Sequence, residues 1–156
     1  AADTQPQAKL GGRAGRDAHR SWSELLVAPR VWIDFVAGRD LPHVAPLEQV
    51  IHASQDIALC GIILTEILQG IADDTTHRRV RRYLVPLILL PMPEAVFVRA
   101  ADIYRRLREQ GTTIRETNDC IIAATALEHH CRLLHNDKDF APIARHYPLK
   151  VVKTGP

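Results

Sequence analysis

The sequence lacks a long apolar run, a paired-cysteine motif and a glycine-rich phosphate loop. No window of it approaches the apolar length that crosses a bilayer, and its first twenty residues contain no apolar signal-peptide core. None of the three cysteines (Cys60, Cys120 and Cys131) forms a C-x-x-C pair, so we expect buried thiols in a reducing compartment. Because neither G-x-G-x-x-G nor a Walker loop is present, we expect no nucleotide cofactor. These absences predict a cytoplasmic protein without a membrane segment.

The composition that remains is that of an ordinary globular protein. The chain has 156 residues, 46% of them hydrophobic, and a net charge of only +2, which suits one domain with a real core. Residues 1–22 are rich in alanine, glycine, arginine and polar groups without any periodicity. They predict a disordered N-terminal extension, and residues 23–156 predict a single folded domain.

Beyond residue 22, short apolar strands alternate with helices. The expected strands are 25–27, 57–59, 87–90, 132–134 and 150–152. The expected helices are 31–37, 46–54, 61–72, 74–84, 93–110, 117–130 and 139–146. Asp74 or Thr75 is expected to cap the fourth helix. This alternation predicts an α/β fold with a mainly parallel sheet.

Three acidic residues occupy positions that are not typical of solvated surface acids. Glu66 shares the apolar face of its helix, Asp119 opens a helix that is apolar nearly all round, and Asp137 follows an apolar strand. Ordinary explanations exist, since Glu66 could reach solvent at the edge of its face and Asp119 could stabilise its helix terminus. Asp139 is expected mainly as the N-cap of the last helix.

Taken together, these acids predict a metal site. Positions that follow the ends of parallel strands meet at one edge of the sheet. Carboxylates clustered there repel one another unless a cation neutralises them. Mg²⁺ and Mn²⁺ prefer oxygen ligands and promote the hydrolysis of phosphodiesters. The convergence of Glu66, Asp119 and Asp137 therefore predicts a Mg²⁺ or Mn²⁺ site.

Four segments resemble the PIN-domain ribonucleases, specifically the VapC-type toxins of toxin–antitoxin modules. In family order they are VWIDF (31–35), TEILQG (65–70), TNDCIIAA (117–124) and LLHNDKDF (133–140). The resemblance implies a three-layer α/β/α sandwich, a metal-dependent endoribonuclease, a homodimer and a cognate antitoxin that blocks the site. It assigns catalytic and metal-binding roles to Glu66, Asp119 and Asp137. It gives supporting places to Asp139 and Asn118.

One family position has lost its acid. The first strand of the family typically ends Val-Asp-Thr/Ser-Ser, with that Asp as a principal metal ligand, whereas this chain reads VAPR over 27–30. Ala28 therefore stands at a vacated ligand position. Asp34 is too far along its helix to replace the ligand, and we expect it to face solvent or cap the helix. Three explanations stay open: a natural loss that weakens or abolishes cleavage, a deliberate inactivation of a toxic protein, or a degenerate N-terminal sequence.

Other polar and aromatic features have two possible explanations each. The arginines of the run HRRVRR (Arg78, Arg79, Arg81 and Arg82) predict contact with RNA phosphates, and a solvated helix face is the alternative. Trp32 is expected in the core or at a contact with a dimer partner or an antitoxin. The histidines at 129, 130 and 135 match no closed zinc pattern, so we expect them at the surface or at helix ends.

The leading hypothesis from sequence is therefore a Mg²⁺-dependent endoribonuclease of the VapC toxin type, impaired by Ala28. The first alternative is a catalytically dead PIN domain that binds RNA or sequesters an antitoxin. The second is an unrelated α/β binding domain with scattered acids.

Overall fold

The computed structural model describes residues 24–53 and 55–154, so the extension expected at 1–22 lies outside the described residues. The strands are β1 (Leu25–Val27), β2 (Ile57–Leu59), β3 (Ile88–Leu89) and β4 (Arg132–Leu134). The helices are α1 (Pro29–Val36), α2 (Val44–His52), α3 (Gly61–Gln69), α4 (Asp74–Leu84), α5 (Glu94–Glu109), α6 (Thr117–Glu128) and α7 (Phe140–His146).

The four strands form one parallel sheet in the order β3-β2-β1-β4. In its register Leu26 of β1 lies between Ala58 of β2 and Leu133 of β4. Strands β1 and β2 are completely buried, as expected for parallel strands covered on both faces. The strand expected at 150–152 is reduced to a single parallel bridge between Leu133 and Val151.

Helices α1 to α4 pack against one another, as do α5 to α7, and the two groups flank the sheet. This arrangement is a three-layer α/β/α sandwich, so the predicted fold class is confirmed. Trp32 is 1% exposed and packs edge-on against Phe35 and Tyr83, so it belongs to the core. The chain runs outward from β1 to β2 and β3, then crosses back to place β4 on the other side of β1. The crevice beyond β1 and β4 is consequently the switch point at which such sheets bind ligands.

Two local predictions need correction. The cap of α4 is Asp73 rather than Asp74 or Thr75, because the Asp73 carboxylate accepts a hydrogen bond from the Thr76 backbone N–H at 2.7 Å. Adjacent polar residues can all cap a helix, and only the backbone geometry selects one of them. Strand β3 is shorter than expected and lies at an edge of the sheet, where Leu89 is 59% exposed instead of buried.

The prediction for Asp34 is wrong, because its carboxylate is buried and only 2% exposed. Arg39 donates a hydrogen bond to Oδ1 at 2.5 Å, and His43 Nε2 lies 2.5 Å from Oδ2. Burial by itself raises the pKa of Asp34, but the hydrogen bonds and charges of Arg39 and His43 outweigh it and hold that pKa below its ordinary value. These contacts tie the loop between α1 and α2 back onto α1.

No described helix is both long and apolar enough to cross a membrane. The three cysteines are buried and unpaired, as predicted. Burial raises the pKa of Cys120 to about 11 and that of Cys131 to about 12. Both thiols therefore stay protonated at neutral pH and are poor nucleophiles.

Candidate metal centre

Ala28 lies at the tip of β1, inside the crevice that the sheet topology creates. Its backbone N–H donates to the Leu134 carbonyl at 2.9 Å, so the end of β1 lies beside the end of β4. Ala28 is 4% exposed and occupies the N-cap position of α1, where no side-chain cap bond is made. An alanine here leaves the helix without the hydrogen bond that an aspartate at this position could accept.

Three carboxylates converge at this edge of the sheet. Asp119, Asp137 and Asp139 each offer one oxygen, and these oxygens lie within 4.8 Å of one another. The Asp137 carboxylate accepts a hydrogen bond from the Asp139 backbone N–H at 2.9 Å, which fixes the turn after β4. Asp139 occupies the N-cap position of α7 but makes no side-chain cap bond. The structure thus groups Asp139 with the other two, where the sequence suggested mainly a cap.

Glu66 lies outside this carboxylate trio but borders it. Its Oε1 accepts a hydrogen bond at 2.5 Å from Nδ2 of Asn118, the residue before Asp119. This bond joins α3 to α6, so it links the two helical layers of the sandwich. The Glu66 charge still contributes to raising the pKa of Asp119. Asp119 and Asp137 of the predicted set therefore lie in the trio, together with Asp139, and Glu66 lies beside it.

Asp119 is a partly buried carboxylate of the crevice, and its pKa is strongly raised. Burial, followed by the charges of Asp137 and Asp139, raises the pKa of Asp119 to about 7. Its Oδ2 is buried and has no hydrogen-bond partner among the described residues. Leaving a buried acceptor unpaired costs about 1–3 kcal/mol. Carboxylate oxygens are the ligands that Mg²⁺ and Mn²⁺ prefer, so the trio would suit a hard divalent ion.

Asp119→Asn should stabilise the metal-free protein above neutral pH. The folded-state pKa of about 7 exceeds the ordinary 3.8, so the folded chain binds this proton more tightly than the unfolded chain. The stability of the protein should therefore fall as the pH rises through that window. In EDTA at about pH 8 we expect the variant to be more stable by about 1–2 kcal/mol, after allowance for solvent screening.

Urea denaturation at two pH values measures this effect. The difference between the two chains should vanish at about pH 4, where the carboxyl is protonated in the folded state. Asp102→Asn, at an exposed position of α5, is the matched control and should change little at either pH. A variant less stable than the original chain at the higher pH contradicts the electrostatic account of Asp119.

Basic side chains lie beside the acids, and one of them, Arg115, stands in no recognisable sequence pattern. It lies in the loop before α6 and pairs with Asp139 at 3.3 Å and Asp137 at 3.9 Å. A cleft of about 570 Å³ is lined by Arg30, Arg115, His135, Asn136, Asp137, Lys138 and Thr154. A cavity of about 630 Å³ is lined by Pro29, Arg30, Ile33, Glu66, Gln69 and Gly70. Only the fold could show that Arg115 faces acids more than twenty residues away.

Two of the described histidines, His129 and His135, make contacts within the fold. His129 ends α6, and its Nε2 lies 2.8 Å from the Pro91 carbonyl oxygen. His135 lines the cleft that contains Asp137. Burial lowers the pKa of His135, and its Nδ1 accepts a hydrogen bond from the Asp137 backbone N–H at 3.1 Å. The potential metal-binding group found among the described residues consists of Asp119, Asp137 and Asp139.

The four arginines of α4 are all exposed. Arg79 lines a cavity of about 370 Å³ that shares Ile33 and Gly70 with the Glu66 cavity. At least one residue of the basic run therefore borders a groove that leads toward the acids. Contact between these arginines and RNA stays a prediction.

Comparison with known proteins places this geometry in a family context. The PIN domain family matches residues 30–146, a range that begins just after Ala28. A VapC ribonuclease of Mycobacterium bovis and ribonuclease VapC11 of Mycobacterium tuberculosis are each 38% identical over 123 residues, which cover 78% of this chain and 92% of theirs.

Solved structures agree on the fold. VapBC2 from Rickettsia felis, bound to a DNA fragment from its promoter, matches with a TM-score of 0.67 and 16% identity, over 83% of this chain and 97% of that one. FitAcB from Neisseria gonorrhoeae matches with a TM-score of 0.66 and 23% identity, over 83% and 96%.

Proposed function

Since this chain belongs to the PIN domain family of VapC-type toxin ribonucleases, we propose that it is a metal-dependent endoribonuclease weakened by Ala28. The observation that carries the proposal is the trio of Asp119, Asp137 and Asp139. It includes a buried carboxylate oxygen of Asp119 that has no hydrogen-bond partner in the described part of the chain. The trio lies at the topological switch point, where a parallel sheet offers its ligand site. The proposed reaction is hydrolysis of an RNA phosphodiester bond.

The trio would hold Mg²⁺ or Mn²⁺, with Glu66 beside it. When bound, such an ion activates water and stabilises the in-line displacement at phosphorus. The residues of the chain supply the framework for that chemistry. Asn118 positions the Glu66 carboxylate, and the turn bond to Asp137 fixes the end of β4. Arg115 balances part of the negative charge of the trio.

Ala28 explains why we propose a weakened enzyme. It contributes no oxygen at the strand tip, where backbone geometry is most rigidly defined. Removing a residue that only supports a metal ligand typically costs about 10–100-fold in affinity or activity. Loss of a direct ligand should cost more, through weak binding of the ion and poor alignment of the attacking water.

RNA is the proposed substrate, and the basic helix α4 supplies its proposed outer contacts. Four arginines of α4 are exposed and form no salt bridge among the described residues: Arg78, Arg79, Arg81 and Arg82. Exposed arginines of this kind bind phosphates without regard to base sequence. Arg79 also borders the groove toward Glu66, which gives the strand a path to the trio.

A cognate antitoxin and a second copy of the chain are the proposed partners. The matched structures include a VapBC complex of Rickettsia felis and a toxin–antitoxin complex of Klebsiella pneumoniae. The chain exposes apolar side chains that such partners could cover. The most exposed of them are Val85 (74%), Leu89 (59%), Val98 (53%), Phe97 (45%) and Tyr83 (43%).

Divalent metal should raise the melting temperature of the chain. An ion present at ten times its dissociation constant stabilises a folded protein by about 1.4 kcal/mol, which corresponds to a rise of about 3–6 °C for this size. Asp119→Asn should abolish most of the rise, whereas Asp102→Asn should keep it. Melting curves in Mg²⁺, Mn²⁺ and EDTA provide the measurement, and an equal rise in all three chains contradicts a metal site at Asp119.

The same three chains test the reaction itself. With end-labelled RNA we expect slow cutting at most, present in Mn²⁺ or Mg²⁺, stopped by EDTA and absent from Asp119→Asn. Cutting that survives in Asp119→Asn would rule out this centre as its source.

A second candidate function is a catalytically dead PIN domain that binds RNA or sequesters an antitoxin. The observation that favours it is the same Ala28, together with the cationic Arg30 two residues on, which borders the acidic cleft. Complete absence of cleavage, with metal binding and RNA binding retained, would select this candidate over the first.

A further inference from the structure

Arg30 is a cation that borders the acidic trio without being neutralised by it. It is the second residue of α1, directly beyond the tip of β1. Its side chain is exposed, and it has no ion-pair partner among the described residues. It lines both the cleft that contains Asp137 and the cavity that contains Glu66. Its guanidinium is therefore available to a ligand that lies across the two.

The cleft of about 570 Å³ that contains Asp137 provides further donors around Arg30. Arg115 and Lys138 line it, together with the neutral groups of Asn136 and Thr154. Arg115 is only partly available to a ligand, because its Nε donates a hydrogen bond to the Asp139 carboxylate at 3.3 Å. Lys138 is exposed. Three cationic side chains around one cleft favour the binding of an anionic ligand there.

A phosphodiester suits this arrangement better than a simple carboxylate does. A guanidinium binds two phosphate oxygens in a planar fork, and this geometry makes arginine a preferred residue for phosphate recognition. The trio alone would repel an RNA backbone, so a strand that approaches it needs a compensating cation nearby.

We propose that Arg30, flanked by Arg115 and Lys138, binds a backbone phosphate of single-stranded RNA beside the acidic trio and does so without divalent metal. The proposal rests on RNA as the substrate of the proposed function, and it adds a binding step that does not require cleavage. Arg30 extends the line of cavities that begins at Arg79 and passes Glu66, so one strand could contact α4 and this cleft together.

Binding of a fluorescently labelled single-stranded RNA in EDTA tests this role of Arg30. Arg30→Ser should weaken binding by about tenfold at low salt, the value of one charge-assisted hydrogen-bonded contact. It should also reduce the slope of log K against log salt concentration by about 0.7, the signature of one lost phosphate contact on a single strand. Arg30→Lys should fall between the two, because it keeps the charge and loses the fork.

Arg105→Ser is the matched control, since Arg105 is exposed on α5 and lines none of the three cavities described above. It should change RNA affinity less than twofold. The proposal is overturned if the original chain does not bind RNA in EDTA, if Arg30→Ser binds equally well, or if both serine variants lose affinity to the same extent.

Failure of this inference can be told apart from failure of the proposed function. Normal RNA binding by Arg30→Ser, together with metal-dependent cutting by an Ala28→Asp chain, would leave the ribonuclease standing and remove this role of Arg30. A selective loss of binding in Arg30→Ser, with no cutting by any variant, would support Arg30 and remove the ribonuclease.

Discussion

Ala28→Asp should increase RNA cleavage in Mg²⁺ or Mn²⁺ by more than about 100-fold, because it restores a direct oxygen ligand where even supporting residues are worth 10–100-fold. The backbone at position 28 (φ −66°, ψ 154°) is already that of a helix N-cap, so aspartate needs no change of conformation there. The tip of β1 also lies next to the end of β4, and Asp137 and Asp139 lie in the turn that follows β4.

A second effect of Ala28→Asp on stability should depend on metal. In EDTA the new carboxylate caps α1 but also adds repulsion to the trio, so the two contributions oppose each other. In Mn²⁺ the repulsion is offset, and the variant should gain more thermal stability from the ion than the original chain does. Melting curves taken beside the cleavage assay measure this difference.

Matched variants separate the effect of a new metal ligand at position 28 from the effect of a new N-cap of α1. Ala28→Asn keeps the size and the capping oxygen but not the charge, so it should recover little cleavage. Ala28→Asp combined with Asp119→Asn should be inactive. Adding Pro29→Thr and Arg30→Ser to Ala28→Asp tests whether the neighbouring residues limit the gain. If the original chain already cuts RNA well and Ala28→Asp adds nothing, position 28 is not the vacated ligand position.

Asp34→Ala should destabilise the fold by about 2–3 kcal/mol, because it removes a buried carboxylate that contacts both Arg39 and His43. The change leaves His43, which is 6% exposed, buried without its partner and releases the loop after α1. Urea unfolding measures the loss. Asp34→Asn, which keeps the shape and one acceptor oxygen, should lose less. Asp102→Ala on the exposed face of α5 should stay within about 0.5 kcal/mol of the original chain.

The free energy of unfolding should depend on pH in a way that reflects the same contacts of Asp34. Because the pKa of Asp34 is held below its ordinary value of 3.8, its contribution to stability is fully present above that value and is lost as the pH falls through the lower folded-state pKa. The gap between the original chain and Asp34→Ala should therefore narrow only in strong acid. A gap of less than about 1 kcal/mol at neutral pH would show that the contacts with Arg39 and His43 contribute little.

Much of the architecture could be predicted from local patterns in the sequence. Short apolar strands separated by amphipathic helices require a parallel sheet covered on both faces, and the structure has one. Asp119, Asp137 and Ala28 could be placed at the carboxyl edge of that sheet because each lies close to an element boundary. The expected helix boundaries lie within three positions of those in the structure, and the largest difference is the end of α3 at Gln69 instead of residue 72.

The tertiary structure decided what depends on contacts between distant residues. The Asn118 bond that holds Glu66 spans 52 positions, and the contact of Arg115 with Asp139 spans 24. The side-chain direction of Asp139 and the burial of Asp34 depend on partners that no periodicity reveals. The sequence by itself thus determined the layers and the edge at which the acids gather. Only the packed chain decided which carboxylates approach one another and which cations stand beside them, because side-chain pairing is set by three-dimensional neighbours.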